Sequence, residues 1–252
     1  MLFYLAPDAA EAGRVRFMQD IQSAVLLAFR LIVNLDPGLM EIVLLSLRVS
    51  LLSMLVSCMI GLPLGAALAV IRFPGRRAVI ILLNAMMGLP PVVVGLLVYL
   101  HLSRSGPLGW LGLLYTPTAM VLAQTILITP IVIALARQIL EDLHGEYAEL
   151  FLSLQLSRFR RMAAILRDGR FSLLTVAMAA FGRSIAEVGA VIIVGGNIEH
   201  LTRVMTTAIA LETSRGNLAL ALALGLVLLV TALTVNGVGA TLYLAGGRHG
   251  RS

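Results

Sequence analysis

An all-α protein that crosses a membrane several times is the fold class this sequence predicts, and three observations predict it. The 252 residues are 59% hydrophobic and only 13% charged, against about 45–50% apolar and about 25% charged in soluble domains. Five runs are long enough for the roughly 20 helical residues that about 30 Å of hydrocarbon requires. Those runs are apolar on every side, with no alternation of period two, so they read as helices and not as strands of a membrane barrel.

The elements follow in chain order. MLFYLAPDAAEAGRVRF, at the start, lacks a basic stretch followed by an apolar one, so no cleaved signal peptide is expected there. Segment 17–35, FMQDIQSAVLLAFRLIVNL, carries Asp20 and Arg30 and is expected to lie at the membrane interface as an amphipathic helix, with a sixth span as the alternative. The first run, 40–71, exceeds one crossing and is expected to tilt, with a kink near Gly61, Pro63 and Gly65. Gly61 and Gly65 also form a GxxxG pair, which lets helices approach closely. The second run, 77–102, is interrupted by Pro90 and Pro91, and the third, 117–139, holds Pro130. The fourth covers 171–195 and the fifth 217–244. The expected organisation is an N-terminal segment over 1–38, a transmembrane domain over 39–245 and a tail over 246–252.

Charge sets the orientation. The formal charge is +6, and every basic residue is an arginine. Arg72, Arg76, Arg77, Arg137, the five arginines from 158 to 170, Arg248 and Arg251 fall on one side. Arg14, Arg16, Arg30, Arg104, Arg203 and Arg215 fall on the other, while Arg48 and Arg183 lie inside spans. The excess puts loops 72–77 and 140–170 and the C-terminus in the cytoplasm, and the N-terminus outside. Arginines placed between apolar runs argue for membrane topology over nucleic-acid binding. With Cys58 alone, no disulfide within the chain and no cysteine-pair metal site is possible. His101, His144, His200 and His249 are scattered, and no phosphate loop, HExxH or GxSxG pattern occurs. No catalytic residue and no metal site is expected.

Four features carry candidate function. Segment 140–170 is charged, helix-prone and free of proline; it offers a short helix pair for a cytoplasmic partner, or is simply a solvated basic loop. Pro90 and Pro91 free backbone carbonyls inside a span, which favours a place against protein or a passage; a packing kink is the alternative. The segment after the fourth run holds Asn197, Arg203, Thr206 and Thr207, donors that suit a small oxyanion or belong to an ordinary outer loop. Arg183 and Glu187 stand four apart in the fourth run and can pair on one helical face. A lone charge at the bilayer centre costs at least about 2.5–3.5 kcal/mol, so that face must point into protein.

Seven strings extend this reading: SLRVSLL (46–52), GLPLG (61–65), RFPG (72–75), MGLPPVVVGLLVYLHLSRSGPLG (87–109), TPTAMVLAQTILITPIVIAL (116–135), FGRSIAEVGAVIIVGGNI (181–198) and TRVMTTAIALETSRGNLALALALG (202–225). Together they resemble the membrane subunit of ABC importers for oxyanions, and within that family tungstate permeases most, with molybdate or sulfate as alternative cargo. A stand-alone secondary carrier or channel would need an inverted repeat or a relay of buried carboxylates, and neither is seen.

The resemblance implies the type I importer permease fold with about five spans, a homodimer around a central passage in the inner membrane, and surrounding lipid. It implies a separate ABC ATPase dimer that binds ATP and magnesium, so that this chain needs no cofactor, and an extracytoplasmic oxyanion-binding protein. It also implies a coupling helix with the pattern Glu-Ala-Ala, three residues, glycine, nine residues, Ile-x-Leu-Pro. The best register places Glu149, Leu150 and Phe151 first, Gln155 at the glycine and Ile165 at the isoleucine, with Arg167 and Asp168 in place of Leu-Pro. Only Glu149 and Ile165 match, and Gln155 is expected to remove the sharp bend between two short helices. Arg183 and Glu187 then have two roles open to them: locking the seam between two copies, or lending positive potential to the path of a dianion.

Overall fold

The structure is a computed structural model describing residues 36–248 without interruption, with side chains through 241, and before them residues 18, 21–23, 25–27, 29–30 and 33–34. The described residues from 18 to 33 are helical and mostly exposed. The rest of the expected interfacial helix lies outside the described residues, as do 1–17 and 249–252. Among the described residues the regular elements are all helices.

Helix α1, Pro37–Val70, starts as its sequence dictates: the Asp36 carboxylate accepts the Leu39 N–H at 2.9 Å, and Pro37 fills the first helical position. Its 34 residues span about 51 Å, well beyond one hydrocarbon layer, so it must tilt or protrude. Pro63 does not interrupt it. One face is a stripe of small residues, Ser46, Ser50, Ser53, Ser57, Gly61 and Gly65, and it is buried. This stripe lies against α4, Pro117–Glu146, where a Cβ on Gly65 would stand 2.9 Å from the Ala136 Cβ. Small residues let the two backbones approach, and dispersion then holds helices that no hydrophobic force drives together within lipid. α4 is capped by Thr116, runs through Pro130, and passes the expected end at 139 to reach Glu146.

The second and fourth runs are broken. α2, Arg76–Met86, and α3, Pro91–Leu102, meet at 99°, and α7, Arg170–Ile185, meets α8, Gly189–Gly195, at 58°. At about 17 and 18 Å, neither α2 nor α3 crosses alone. The first break follows from Pro90 and Pro91: a residue preceding proline is steered away from the helical region, and Pro91 is placed to open a new helix. The two broken runs pack on each other. Gly95 of α3 meets Ala190 of α8 so closely that a Cβ would stand 2.7 Å from the Ala190 Cα, and Gly189 meets Val92.

Between α4 and α7 lie two short helices, α5, Ala148–Ser153, and α6, Arg158–Asp168. At the same end of the bundle Glu141 pairs with Arg76 at 2.8 Å and with Arg137, while Arg76 Nε donates to the Leu68 carbonyl. This knot ties the ends of α1, α2 and α4. The segment after the fourth run, read from sequence as oxyanion donors or an ordinary outer loop, contains a helix, α9, Met205–Ser214, whose first turn is buried. α10, Leu218–Arg248, closes the fold against α7 and α9. The buried apolar residues form three clusters, one around Val49 and Met120, one around Ile128 and Ile165 and one around Phe181 and Met205, while Leu55, Met59, Ile81 and Leu82 face outward as a lipid-bathed surface requires.

The α3–α8 contact makes the first prediction. Gly95→Ala forces backbone apart and should lower stability in detergent by about 1–3 kcal/mol. Gly88→Ala, whose Cβ meets only ordinary contact at 3.5 Å, should change little. Thermal unfolding of both variants checks this, and equal melting temperatures would contradict it.

Candidate functional site

Two charges of one ion pair sit where the fourth run breaks. Sequence places Arg183 and Glu187 in one continuous helix; in the structure α7 ends at Ile185, so Arg183 lies in its last turn and Glu187 in the break. The pair still forms, with Arg183 Nη1 2.8 Å from Glu187 Oε2. Its members differ sharply in exposure: the Glu187 side chain is 4% exposed and that of Arg183 39%. Glu187 Oε1 accepts the Ala190 N–H at 3.2 Å, capping the start of α8, and the Glu187 carbonyl accepts the Thr206 hydroxyl at 2.9 Å. The carboxylate thus satisfies both the arginine and the amide freed by the break. Its inward partners are fixed, while the guanidinium keeps an outward face.

Gln124, a residue the sequence reading passed over, is the hub beside this break. It is buried in α4 and joins three helices. Its Oε1 accepts the hydroxyls of Ser53 at 2.9 Å and Ser184 at 2.7 Å, and its Nε2 donates to the Ser184 carbonyl at 3.1 Å. A glutamine set deep in an apolar run, facing serines repeated every three or four residues on α1, is the pattern that marks it. Ser46, Ser50, Gln124, Ser184, Glu187 and Thr206 line a cavity of about 10 Å³, the size of one water.

The remaining predicted residues divide. Pro90 and Pro91 stand across from the break, through the Val92–Gly189 contact. Thr207 is fully buried, and its hydroxyl accepts the Val204 N–H at 3.1 Å and donates to the Val204 carbonyl. It therefore closes the start of α9 and has no donor left for an anion. Asn197 adopts φ 51 and donates to the Thr207 carbonyl at 3.4 Å. Arg203 is apart from these, paired with Glu199 at 3.0 Å. Beside it His200, at φ 59, contacts Glu41 of α1 at 2.7 Å. Gly38, Glu41, Glu199, His200 and Arg203 border an open cavity of about 70 Å³. The hydrogen bond that His200 donates to Glu41, and then the Glu41 charge, raise the His200 pKa above the ordinary histidine value.

The second candidate region is the α5–α6 pair. Phe151 and Ile165 are buried and hold the two helices against α4, and the Tyr147 hydroxyl donates to Asp168 at 2.6 Å. Glu149, Leu150 and Gln155 are exposed. The expected loss of the bend is corrected: Gln155 adopts φ 47, the left-handed region that glycine favours, so the turn is made without a glycine. Leu150, Leu152, Leu154 and Phe159 project around that turn as an exposed apolar patch.

Residues 61–243 match the family described as the binding-protein-dependent transport system inner membrane component. The tungstate uptake system permease protein TupB of Peptoclostridium acidaminophilum is 38% identical over 221 residues, covering 88% of this chain and 97% of that protein. A probable anion ABC transporter permease protein of Haloferax volcanii is 39% identical over 219 residues, 84% and 94% of the two chains. TupB of Campylobacter jejuni is 41% identical over 165 residues, 66% and 69% of the two chains.

Two predictions follow from the site. Arg183→Ala strands the buried Glu187 and should cost about 1–3 kcal/mol, less than the 3–5 of a fully buried pair because Arg183 is half-exposed. Adding Glu187→Gln, which keeps an acceptor for Ala190, should recover most of that loss in thermal unfolding. His200 should titrate above the ordinary histidine midpoint by nuclear magnetic resonance, and Glu41→Gln should lower it. Because protonated His200 is the form that Glu41 favours, the tie between α1 and the 196–204 loop is complete at low pH. It weakens as pH rises through the raised value.

Proposed function

The chain belongs to the inner-membrane components of binding-protein-dependent transport systems, and from that premise we propose that it is the membrane-spanning subunit of an ATP-driven tungstate importer. Two copies enclose the passage. A separate ABC ATPase dimer binds ATP and magnesium and supplies the work. An extracytoplasmic binding protein delivers the anion, and this chain performs no covalent chemistry. The α5–α6 end and the C-terminus face the cytoplasm, in keeping with the arginine excess on that side, and the N-terminus faces outward.

The observation that carries the coupling role is the apolar patch around Gln155. Leu150, Leu152, Leu154 and Phe159 are exposed in the connection between α4 and α7, within a segment otherwise rich in arginine. An exposed apolar patch rimmed by polar residues is what a protein partner covers. Phe151 and Ile165 act from within, fixing the angle of the two short helices, while Glu149, Leu150 and Gln155 present the docking face. Force on that face reaches α4 and α7 directly, because α5 and α6 lie between them in the chain.

At the other end of the mechanism the pair Arg183–Glu187 provides a restrained positive field. A passage must hold its cargo weakly enough to release it. Glu187, tied on both oxygens, lowers the pull of Arg183 on a dianion while keeping the arginine in place. Asn197, Thr206 and Thr207 shape the corner that holds this break. Arg203, mostly buried and paired with Glu199, stands apart from this corner.

The test is uptake into proteoliposomes carrying the permease, its ATPase and its binding protein, with tungstate, molybdate and sulfate in competition. Tungstate should accumulate only with ATP and all three components, and Leu150→Glu should cut uptake at least tenfold while leaving permease stability unchanged. Uptake at full rate without the ATPase would refute the reading, and preference for molybdate or sulfate would reassign the cargo.

A further inference from the structure

Arg48 is exposed in the outer third of α1, eleven residues past Pro37, or about 16 Å along the helix. It has no hydrogen-bond or ion-pair partner among the described residues. At helical spacing it shares a face with Leu44, Leu52 and Leu55, all outward and opposite the serine stripe that packs on α4. Lipid is a poor cover for that face. At the centre of a span an unpaired arginine costs at least about 2.5–3.5 kcal/mol on insertion scales, and arginines within spans face a bundle interior, a water-filled cavity or, near helix ends, the interface. Among the described residues Arg183, the other cation set deep within a span, is matched by Glu187. No carboxylate lies between Glu41 and Glu141 to serve Arg48 from its own neighbourhood.

We propose that Arg48 lines the aqueous passage and is the free positive charge that receives the oxyanion there. This rests on the reading of the chain as an oxyanion importer. Arg183 is offset by a fixed carboxylate, so the two arginines divide the work: Arg183 lends a restrained field at the helix break, and Arg48 is the unpaired charge that meets the cargo. Ser46 and Ser50, on the same stretch of α1, border the polar cavity beside Glu187, so Arg48 stands at the level of the break along the helix. Walls of leucine around a single cation favour entry of an anion without holding it fast, because the cargo finds one strong partner and no cage.

The experiment labels a cysteine at this position. In a Cys58→Ser background, Arg48→Cys is placed in the reconstituted complex and exposed to a charged, membrane-impermeant thiosulfonate, with and without saturating tungstate and binding protein. The proposal expects rapid modification that cargo slows several-fold. In uptake, Arg48→Gln should raise the apparent KM for binding-protein-delivered tungstate or cut the rate at least tenfold, and Arg48→Lys should restore most of it. Absence of labelling, as for a side chain facing lipid or sealed against the second copy, overturns the proposal. So does labelling that tungstate leaves unchanged, or normal uptake by Arg48→Gln. Wild-type uptake in the same vesicles separates these failures from failure of the importer reading, since only the latter abolishes ATP-dependent accumulation in the parent protein.

Discussion

The satisfaction of backbone and charge at residues 186–188 is the constraint on which the rest of this structure depends. A membrane offers no water to an open amide or carbonyl, so a helix that breaks within it must be repaired by protein. Glu187 makes that repair with one carboxylate, turning one oxygen to Arg183 and the other to the Ala190 amide. Its own carbonyl is taken by Thr206, and the Ser184 carbonyl by Gln124. Three neighbouring helices are therefore positioned by the needs of one break: α1 through Ser53, α4 through Gln124 and α9 through Thr206.

The close helix contacts serve the same end. The small stripe of α1 brings α4 near enough for Gln124 to reach both Ser53 and Ser184. Gly95 lets α3 rest on Ala190 and covers α8 just past its cap. Far from the break, the Arg76–Glu141–Arg137 knot and the Phe151 and Ile165 anchors give the bundle a stiff end to which α5 and α6 are attached. Within the importer proposed above, a push on that end moves α7, and α7 carries Arg183.

Much of the architecture was legible from sequence because hydrocarbon imposes so simple a rule. All five runs correspond to helices or broken helices, and Pro90–Pro91 announced the first break in plain terms. The second break was not legible. No proline marks it, and an arginine and a glutamate four apart read equally well as an intact turn; only the folded chain reveals that the carboxylate replaces a missing helical bond. Gln124 escaped for a related reason, since a single amide among apolar residues gains meaning only from the serines opposite. Thr207 and Arg203 read as anion donors by residue type, but their hydrogen-bonding capacity and charge are spent on α9 and Glu199. At Gln155 the residue type suggested no bend, whereas the chain accepts a left-handed residue there. Context overrode propensity in each case.

Glu187 forms its ion pair inside the membrane with Arg183, and its second carboxylate oxygen takes the amide of α8. Infrared difference spectroscopy of the bilayer-reconstituted protein against Glu187→Gln measures this directly. The ion pair should give the paired stretches of a carboxylate in the difference spectrum and no protonated carbonyl band at neutral pH. A protonated carbonyl band lost in the glutamine variant would mean that the residue is neutral, and the ion pair at the heart of the break would not exist.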